Sequence, residues 1–279
     1  MERRALPGRL GERLVWQLGD VLATREETPR AKSITLAVPN WRGHRAGQHV
    51  DIRLTAEDGY QAERSYSIAS PPVEAPHITL TVERLDDGEV SPYLVDELRV
   101  GDKLELRGPI GGYFVWEANS GGPLLLVAGG SGIVPLMAMI RQRAAVGSNA
   151  PTRLLYSSRT FEEIIYREEL EQLVTNSGST GLEVKHTLTR AQPVGWTGYH
   201  RRIDGEMLRE VAWPLEERPL SFICGPTPFV ETAAASLVGL GYEPARIKTE
   251  RFGPTGESGA SGASGASGAS AVPGGHDGE

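Results

Sequence analysis

Between residues 14 and 117, apolar residues alternate with polar or small ones, which is the period-two pattern of strands with one buried face. Turn signals such as Asp58-Gly59 and Asp87-Gly88 separate these runs. Several short strands at this spacing predict a small antiparallel barrel, which leaves no open sheet edge. The alternating sets are Ile34, Leu36 and Val38; Val50, Ile52 and Leu54; Ile78, Leu80 and Val82; and Leu104 and Leu106.

The rhythm changes after residues 119–123, where short, continuously apolar runs alternate with helical periodicity. Strand–helix alternation predicts a parallel sheet with helices on both faces. The apolar runs are 124–128, 154–157, 182–188 and 220–224. The helical signals are Leu136, Met139 and Ile140 on one face, the capping box Thr160-Phe161-Glu162-Glu163 before Ile164 and Ile165, and Thr227-Pro228 as the start of a last helix ending at Gly241.

These patterns divide the chain into an N-terminal extension (1–13), a barrel domain (14–117), an α/β domain (123–253) and a tail (254–279). The 279 residues are enough for two domains that each bury a core. The tail carries a Ser-Gly-Ala repeat from Ser258 to Ser270, which cannot bury apolar surface. We therefore expect the tail to be disordered.

Composition narrows the function classes. The net charge of −7 argues against a general nucleic-acid binder. The single cysteine, Cys224, and six histidines without ligand spacing predict neither a disulfide nor a metal site. The N terminus lacks the apolar region of an export signal, and no run resembles a membrane span. We expect a cytoplasmic protein that binds neither nucleic acid nor membranes.

A predicted strand carries Arg64-Ser65-Tyr66-Ser67, in which Arg64 and Tyr66 project from the same face. An arginine fork can hold a phosphate, and a tyrosine can lie flat against an aromatic ring. Downstream, Gly88-Glu89-Val90-Ser91 precedes Pro92, with Ser91 as the expected N-cap of a helix whose free N–H groups face an anion. Together these residues predict a flavin-nucleotide cradle. The alternatives are a surface ion pair for Arg64 and a barrel aromatic for Tyr66.

The segment Gly129-Gly130-Ser131-Gly132 lies between an apolar strand and a helix, where glycines permit a tight turn around a pyrophosphate. Pro135 replaces the third glycine of the common fingerprint, so the loop is a variant. The next strand ends in Ser158-Arg159 instead of a carboxylate, and Thr189-Arg190 follows the strand after it. These hydroxyl and guanidinium groups favour a 2′-phosphate, hence NADPH over NADH. Solvated arginines at strand ends are the alternative.

Five motifs follow one another along the chain: Arg-x-Tyr-Ser at 64–67, Gly-x-x-Ser at 88–91, Gly-Gly-x-Gly-x-x-Pro at 129–135, Cys-Gly-Pro at 224–226 and Glu-Arg-Phe-Gly at 250–253. In this order, over residues 14–253, the chain resembles the compact bacterial members of the ferredoxin–NADP reductase superfamily. The resemblance implies a six-stranded antiparallel flavin-binding β-barrel followed by a Rossmann-like parallel α/β domain. The two cofactors would meet at the cleft between them.

The resemblance also implies roles for individual residues. Tyr66 would stack on the flavin ring, Ser67 would hydrogen-bond near its N5, and Arg64 would bind the pyrophosphate. Cys224 would lie beside the nicotinamide C4, Glu250 would tune the flavin, and Phe252, in place of a terminal tyrosine, would shield the other flavin face. The predicted catalytic residues are Ser67, Cys224 and Glu250; the FAD contacts are Arg64, Tyr66, Ser67, Val82, Gly88, Val90, Ser91 and Phe252; and the NADPH contacts are Gly130, Gly132, Ser158, Arg159, Thr189, Arg190, Gly225 and Pro226.

The implied reaction is hydride transfer from NADPH to FAD, followed by single-electron transfer to a separate partner such as a ferredoxin, a flavodoxin or an oxygenase component. FAD is preferred to FMN because Arg-x-Tyr-Ser resembles the FAD-binding members. The alternatives are a flavin reductase or diaphorase with a small diffusible acceptor, and a flavin-binding redox sensor with little turnover. An acidic carrier would dock on a basic rim, for which the candidates are Arg141, Arg143, Arg201 and Arg202. The alternative for these residues is a solvated surface.

Overall fold

A computed structural model of the chain describes residues 14–177 and 181–252, which form two lobes, each built around one sheet. The predicted extension 1–13 and tail 254–279 lie outside the described residues. The sheet of the first lobe is antiparallel, with strand order β4-β3-β6-β1-β2-β5. Its strands are β1 (Gln17–Thr28), β2 (Ala31–Ala37), β3 (His49–Thr55), β4 (Gln61–Ser67), β5 (His77–Glu83) and β6 (Lys103–Ile110).

The first lobe closes into a barrel, because Ile68, just beyond β4, bridges to Leu80 on β5 and so joins the two outer strands. The alternating apolar residues fill its interior, where Ile34, Leu36 and Ile52 are fully buried. Each such side chain contributes about 1.5–3 kcal/mol through burial. The six-stranded antiparallel barrel is therefore confirmed.

The second lobe is a parallel sheet with strand order β11-β10-β7-β8-β9 and four helices among the described residues. The predicted Rossmann-like class is confirmed. Its strands are β7 (Leu124–Gly129), β8 (Thr152–Ser158), β9 (Leu182–Leu188), β10 (Leu220–Pro226) and β11 (Ile247–Phe252). The helices are α1 (Ile133–Ala145), α2 (Arg167–Ser177), α3 (Gly205–Val211) and α4 (Thr227–Gly239).

The predicted helix starts were wrong in detail. The segment 160–166 is a turn, and α2 begins only after Tyr166, which adopts a left-handed φ of 60° and accepts the first helical hydrogen bond from Leu170 N–H. The capping box is therefore not formed, and the Glu162 carboxylate accepts a hydrogen bond from the Thr160 hydroxyl instead. Helix α4 has Pro226, not Thr227, at its N-cap.

One of the three buried apolar clusters in the described chain spans the two lobes. Ala69 and Phe114 of the first lobe belong to the same buried cluster as α1 of the second lobe. Phe114 meets Phe222 on β10 edge to face, with ring centres 5.3 Å apart. The seam between the lobes is thus a packed interface around which functional groups can be held rigidly. No helix in the described part of the chain has both the length and the apolarity needed to cross a bilayer.

Candidate active site at the seam between the lobes

A row of four residues crosses the seam. His49 on β3 pairs with Ser67 on β4, and its Nδ1 lies 3.8 Å from Oε1 of Glu250 on β11. Glu250 in turn pairs with Cys224 at the end of β10. The structure therefore brings together Ser67, Glu250 and Cys224, the three predicted catalytic residues, although their roles stay a prediction.

Two polar atoms in this row are buried without a hydrogen-bond partner in the described chain, namely Ser67 Oγ and Glu250 Oε2. Ser67 is only 4% exposed. A buried polar atom left unsatisfied costs about 1–3 kcal/mol, so such atoms are usually explained by a ligand or by function. A flavin ring edge carries both donors and acceptors, and this pair of atoms fits it.

Burial controls ionisation in the row. It raises the pKa of Glu250 to about 7, so this carboxyl group changes protonation near neutral pH. Burial lowers the pKa of His49, opposed by the charge of Asp51. The pKa of Cys224 is raised well above its ordinary value by burial and then by the charge of Glu250, which keeps its sulfur as a neutral thiol. Cys224 can therefore position a ligand but is a poor nucleophile.

The glycine loop after β7 packs tightly against the end of β10, at the point where the strand order of the parallel sheet reverses. A Cβ atom on Gly132 would lie 2.1 Å from the carbonyl oxygen of Cys224, and Gly130 has a φ of +55°. On the other side, Gly129 and Gly225 lie against the ring of Phe229. The loop thus forms a cradle of bare backbone beside the row, as a pyrophosphate site requires.

The two flavin motifs of the barrel are also brought together. The Arg64 guanidinium donates to Glu89 Oε2 at 2.6 Å, and the Tyr60 hydroxyl donates to Glu89 Oε1 at 2.7 Å. Within the described residues, the N–H groups of Glu89 and Val90 donate to no other group of the chain. These free donors, next to an exposed guanidinium, suit a phosphate that displaces the Glu89 carboxylate. In this structure Arg64 forms a surface ion pair with Glu89, which is the alternative that the sequence left open.

Other predicted flavin contacts differ in accessibility. The Ser91 hydroxyl accepts a hydrogen bond from Leu85 N–H at 3.0 Å. The predicted N-cap role of Ser91 was therefore wrong, since the short π-helix that follows, Tyr93–Glu97, has Pro92 at its N-cap and no side-chain cap. Val82 is fully buried in the barrel core and pairs with Lys32 of β2, so its contact with FAD stays a prediction. Of the remaining predicted flavin contacts, Tyr66 and Phe252 are half-buried, and Gly88 packs on the Ser91 hydroxyl.

The candidates for the 2′-phosphate lie side by side at the carboxyl ends of β8 and β9. The Thr189 N–H and hydroxyl groups both donate to the Ser158 carbonyl, at 3.0 and 3.3 Å. Arg190 N–H donates to the Arg159 carbonyl at 2.9 Å. Both guanidinium groups are exposed and, over residues 14–177 and 181–252, neither has an ion-pair partner. Two positively charged residues thus follow neighbouring strands at the same edge of the sheet.

The predicted basic rim was wrong for two of its four members. The Arg141 side chain is 16% exposed and binds Glu169, while Arg143 is 7% exposed and donates to the Ala150 carbonyl. Arg201 is exposed in part but pairs with Asp204 and Glu206, and Arg202 is exposed. Arg141 and Arg143 follow a fully buried stretch of α1, residues 133–140, and hydropathy alone cannot show that a charge there is satisfied internally.

Sequence reasoning missed two residues of the site, His49 and Phe229. The spacing of the histidines indicates no site, and the position of His49 opposite Ser67 follows only from the β3–β4 register. Phe229 covers the glycines 129 and 225. Its signal was an aromatic residue close behind the Cys-Gly-Pro motif at a strand end.

Two family models match the chain, the oxidoreductase FAD-binding domain over residues 29–115 and the oxidoreductase NAD-binding domain over residues 126–235. A glycine betaine monooxygenase reductase subunit of Pseudomonas aeruginosa is 34% identical over 75% of this chain and 56% of its own length. Ferredoxin–NADP reductase B of Sorangium cellulosum is 38% identical over 64% of this chain and 73% of its own.

Solved structures are similar throughout both lobes. The flavohem-like FAD/NAD-binding domain of nitric oxide dioxygenase from Vibrio cholerae superposes with a TM-score of 0.75 at 25% identity, covering 85% of this chain and 99% of that one. A ferredoxin NADP+ reductase from Neisseria gonorrhoeae, with bound FAD and NADP, has a TM-score of 0.73 at 21% identity, covering 85% and 98%.

Fold, site and matches together define a two-domain oxidoreductase that binds FAD on its barrel and a nicotinamide nucleotide on its α/β lobe. The chain belongs to the ferredoxin–NADP reductase superfamily, as its motif order predicted. It spans little more than half the length of the glycine betaine monooxygenase reductase subunits that it matches.

Proposed function

We propose that the protein transfers hydride from NADPH to FAD at the seam and passes single electrons to a separate partner such as a ferredoxin, a flavodoxin or an oxygenase component. The observation that carries this proposal is the row His49–Ser67–Glu250–Cys224, with two unsatisfied buried polar atoms beside the Gly130–Gly132 loop. The proposal includes a cytoplasmic location, in which the free thiol of Cys224 stays reduced.

FAD would supply the conversion of a hydride into single electrons when bound. The residues of the chain would bind the two cofactors, orient them and exclude water from between them. We assign Ser67 Oγ to a hydrogen bond with the flavin edge and Glu250 to holding a proton close by, since its pKa is about 7. Tyr66 and Phe252 offer ring faces for stacking. Cys224 offers a small apolar surface against which the nicotinamide can lie.

The preference for NADPH is supported by the two unpaired guanidinium groups, Arg159 and Arg190, beside the hydroxyl groups of Ser158 and Thr189. The backbones of the two arginines are hydrogen-bonded to each other, so their side chains start from neighbouring positions. Losing one charge-assisted hydrogen bond to a phosphate costs about 1.5–3 kcal/mol, which is roughly tenfold or more in KM.

The test is to purify the protein, identify the flavin it retains, and follow flavin bleaching by NADPH and by NADH in a stopped-flow instrument. Arg190→Ala should raise the KM for NADPH roughly tenfold and leave that for NADH unchanged. Arg209→Ala, which removes an exposed arginine of α3, is the matched control. Protein that neither nucleotide reduces contradicts the proposed function, and an unchanged NADPH preference contradicts the role of Arg190.

Two further readouts separate the rival functions. Flavin that leaves the protein on gel filtration and is turned over as a substrate would indicate a flavin reductase. Flavin reduction without steady-state turnover of ferricyanide would indicate a redox sensor. Retained flavin together with ferricyanide turnover is the result that we expect.

A further inference from the structure

Arg141 makes an unusual set of contacts for an arginine on a helix. It lies on α1, the helix into which the Gly130–Gly132 loop leads. Its Nη1 donates to the carbonyl oxygen of Ala69, in the barrel lobe, at 2.8 Å. Its Nε and Nη2 donate to the two carboxylate oxygens of Glu169 on α2, at 2.8 and 2.7 Å. All three nitrogen atoms of the guanidinium therefore donate hydrogen bonds, and one of these bonds joins the α/β lobe to the barrel lobe.

Tyr166 forms a second contact across the seam directly beneath this arginine. The Arg141 guanidinium lies 4.7 Å from the centre of the Tyr166 ring, in cation–π geometry. The buried Tyr166 hydroxyl donates to Thr81 Oγ1 on β5. Thr81 is in turn 2.8 Å from the Ser33 hydroxyl, so the contact continues into the barrel wall.

Tyr166 also has a backbone conformation that needs support. Its φ of 60° lies in the left-handed region, which costs a non-glycine residue about 1–2 kcal/mol. Such a conformation persists only when the surroundings determine it. Here the buried ring and its hydroxyl bond hold the turn, and with it the start of α2, against the barrel.

Both barrel contacts lie next to predicted flavin residues. Ala69 is two residues beyond Ser67, and its N–H is held by Thr79 of β5. Thr81 directly precedes Val82. On the other side of the seam, α1 carries the Gly130–Gly132 loop at its start. Arg141 thus connects the segment expected to hold the flavin, through the Ala69 carbonyl, with the helix that carries the nucleotide loop.

We propose that Arg141 is a positioning residue, whose guanidinium sets the nucleotide loop at a fixed distance from the flavin-binding strand. This inference rests on the proposed function, since the distance matters when a hydride moves between the two cofactors. Hydride transfer depends steeply on alignment, and a displacement of about 1 Å can cost up to about 100-fold in rate. A lysine would keep the charge but lose the planar fork that reaches Ala69 and Glu169 together.

The chain offers a matched control on the same helix. Arg143 is only 7% exposed, and its Nε donates to the Ala150 carbonyl, inside the same lobe, at 2.6 Å. Arg141→Gln and Arg143→Gln therefore each remove a buried guanidinium from α1, and only the first removes a bond between the lobes. Arg141→Lys is the second test variant, in case the glutamine variant fails to fold.

The measurements are the flavin reduction rate at saturating NADPH, the NADPH dissociation constant from its concentration dependence, and calorimetric unfolding of each variant. We expect both Arg141 variants to reduce flavin about tenfold more slowly or worse, with the NADPH dissociation constant within about threefold of wild type. We expect Arg143→Gln to melt at a lower temperature and keep the wild-type rate. An Arg141 variant with the wild-type rate, or an equal loss of rate in Arg143→Gln, overturns the inference.

Calorimetry without added nucleotide distinguishes this inference from the proposed function. The two lobes should unfold in one two-state transition in the wild type and in a broader, less cooperative transition in Arg141→Gln. If neither nucleotide reduces the wild-type flavin, the proposed function fails, and the calorimetric result still decides whether Arg141 couples the lobes. A single, unchanged transition in Arg141→Gln shows that it does not.

Discussion

Adding one methyl group at Gly132 should slow the reduction of the flavin by NADPH without changing flavin binding. Gly132 has ordinary helical dihedrals, φ −59° and ψ −13°, so alanine meets no backbone strain there. The new Cβ would lie 2.1 Å from the Cys224 carbonyl oxygen, 2.4 Å from its carbonyl carbon and 2.8 Å from Gly225 N. Since these are backbone atoms, no side chain can rotate away. The loop must retreat by about 1 Å to restore normal contact.

The expected cost follows from that displacement. Overpacking of a tight contact costs about 1–3 kcal/mol, which lowers the melting temperature of a protein of this size by about 3–10 °C. A shift of about 1 Å in the loop should slow flavin reduction by up to about 100-fold. Flavin content should not change, because Arg64 and Tyr66 lie on the barrel.

Gly239→Ala is the control for this experiment. Gly239 ends α4 in the same lobe, and a Cβ there would meet no atom within 4 Å among the residues described. This variant should be neutral or slightly more stable, by up to about 1 kcal/mol. Stopped-flow reduction at saturating NADPH and calorimetry measure both effects. A Gly132→Ala protein with the wild-type rate and melting temperature would refute the reasoning.

Three further predictions concern buried polar groups. Burial raises the pKa of Glu250 from 4.5 to about 7, so the folded state binds this proton more tightly than the unfolded state, and the stability that the proton contributes is lost as pH rises from about 4.5 through about 7. Urea titrations should show that the free energy of unfolding of the wild type falls between pH 5 and pH 8 by up to about 3 kcal/mol more than that of Glu250→Gln. An equal change in both proteins would contradict this. Cys224 should resist thiol reagents at pH 8 until the protein is denatured, and stoichiometric labelling of the native protein would show that it is accessible. Tyr166→Phe should lower the free energy of unfolding by about 1–2 kcal/mol through loss of the hydroxyl bond to Thr81, and an unchanged urea midpoint would show that the bond adds nothing.

The strands were predictable because burial imposes a period of two on the barrel and apolar runs on the parallel sheet. Helix starts were less predictable, since they depend on single side chains. Ser91 could cap its own helix or bind the preceding turn, and the structure has its hydroxyl bound to Leu85 N–H. Tyr166 starts α2 from a left-handed conformation that only the packing of its ring explains. Helix α3 has only seven residues, too few for a helical period to stand out.

The motifs of the site were recognisable by their spacing, but their mutual distances were not. His49 could not be placed beside Glu250 without the β3–β4 register and the position of β11, because the two residues lie near opposite ends of the described chain. Arg141 was predicted on the surface because arginines are mostly exposed, and the sequence does not show which groups could satisfy a buried one. Only the fold shows that the Ala69 carbonyl and the Glu169 carboxylate satisfy it.

The parallel pairing of β11 with β10 has a consequence for biosynthesis. Glu250 reaches the barrel only when β11, the last strand of the described chain, has left the ribosome, whereas all six strands of the barrel leave it much earlier. Closing so long a loop costs entropy, which the contacts of the finished sheet must offset. A nascent chain that stalls before residue 247 would therefore contain the whole barrel sheet but would lack Glu250, so the row that crosses the seam is completed only late in synthesis.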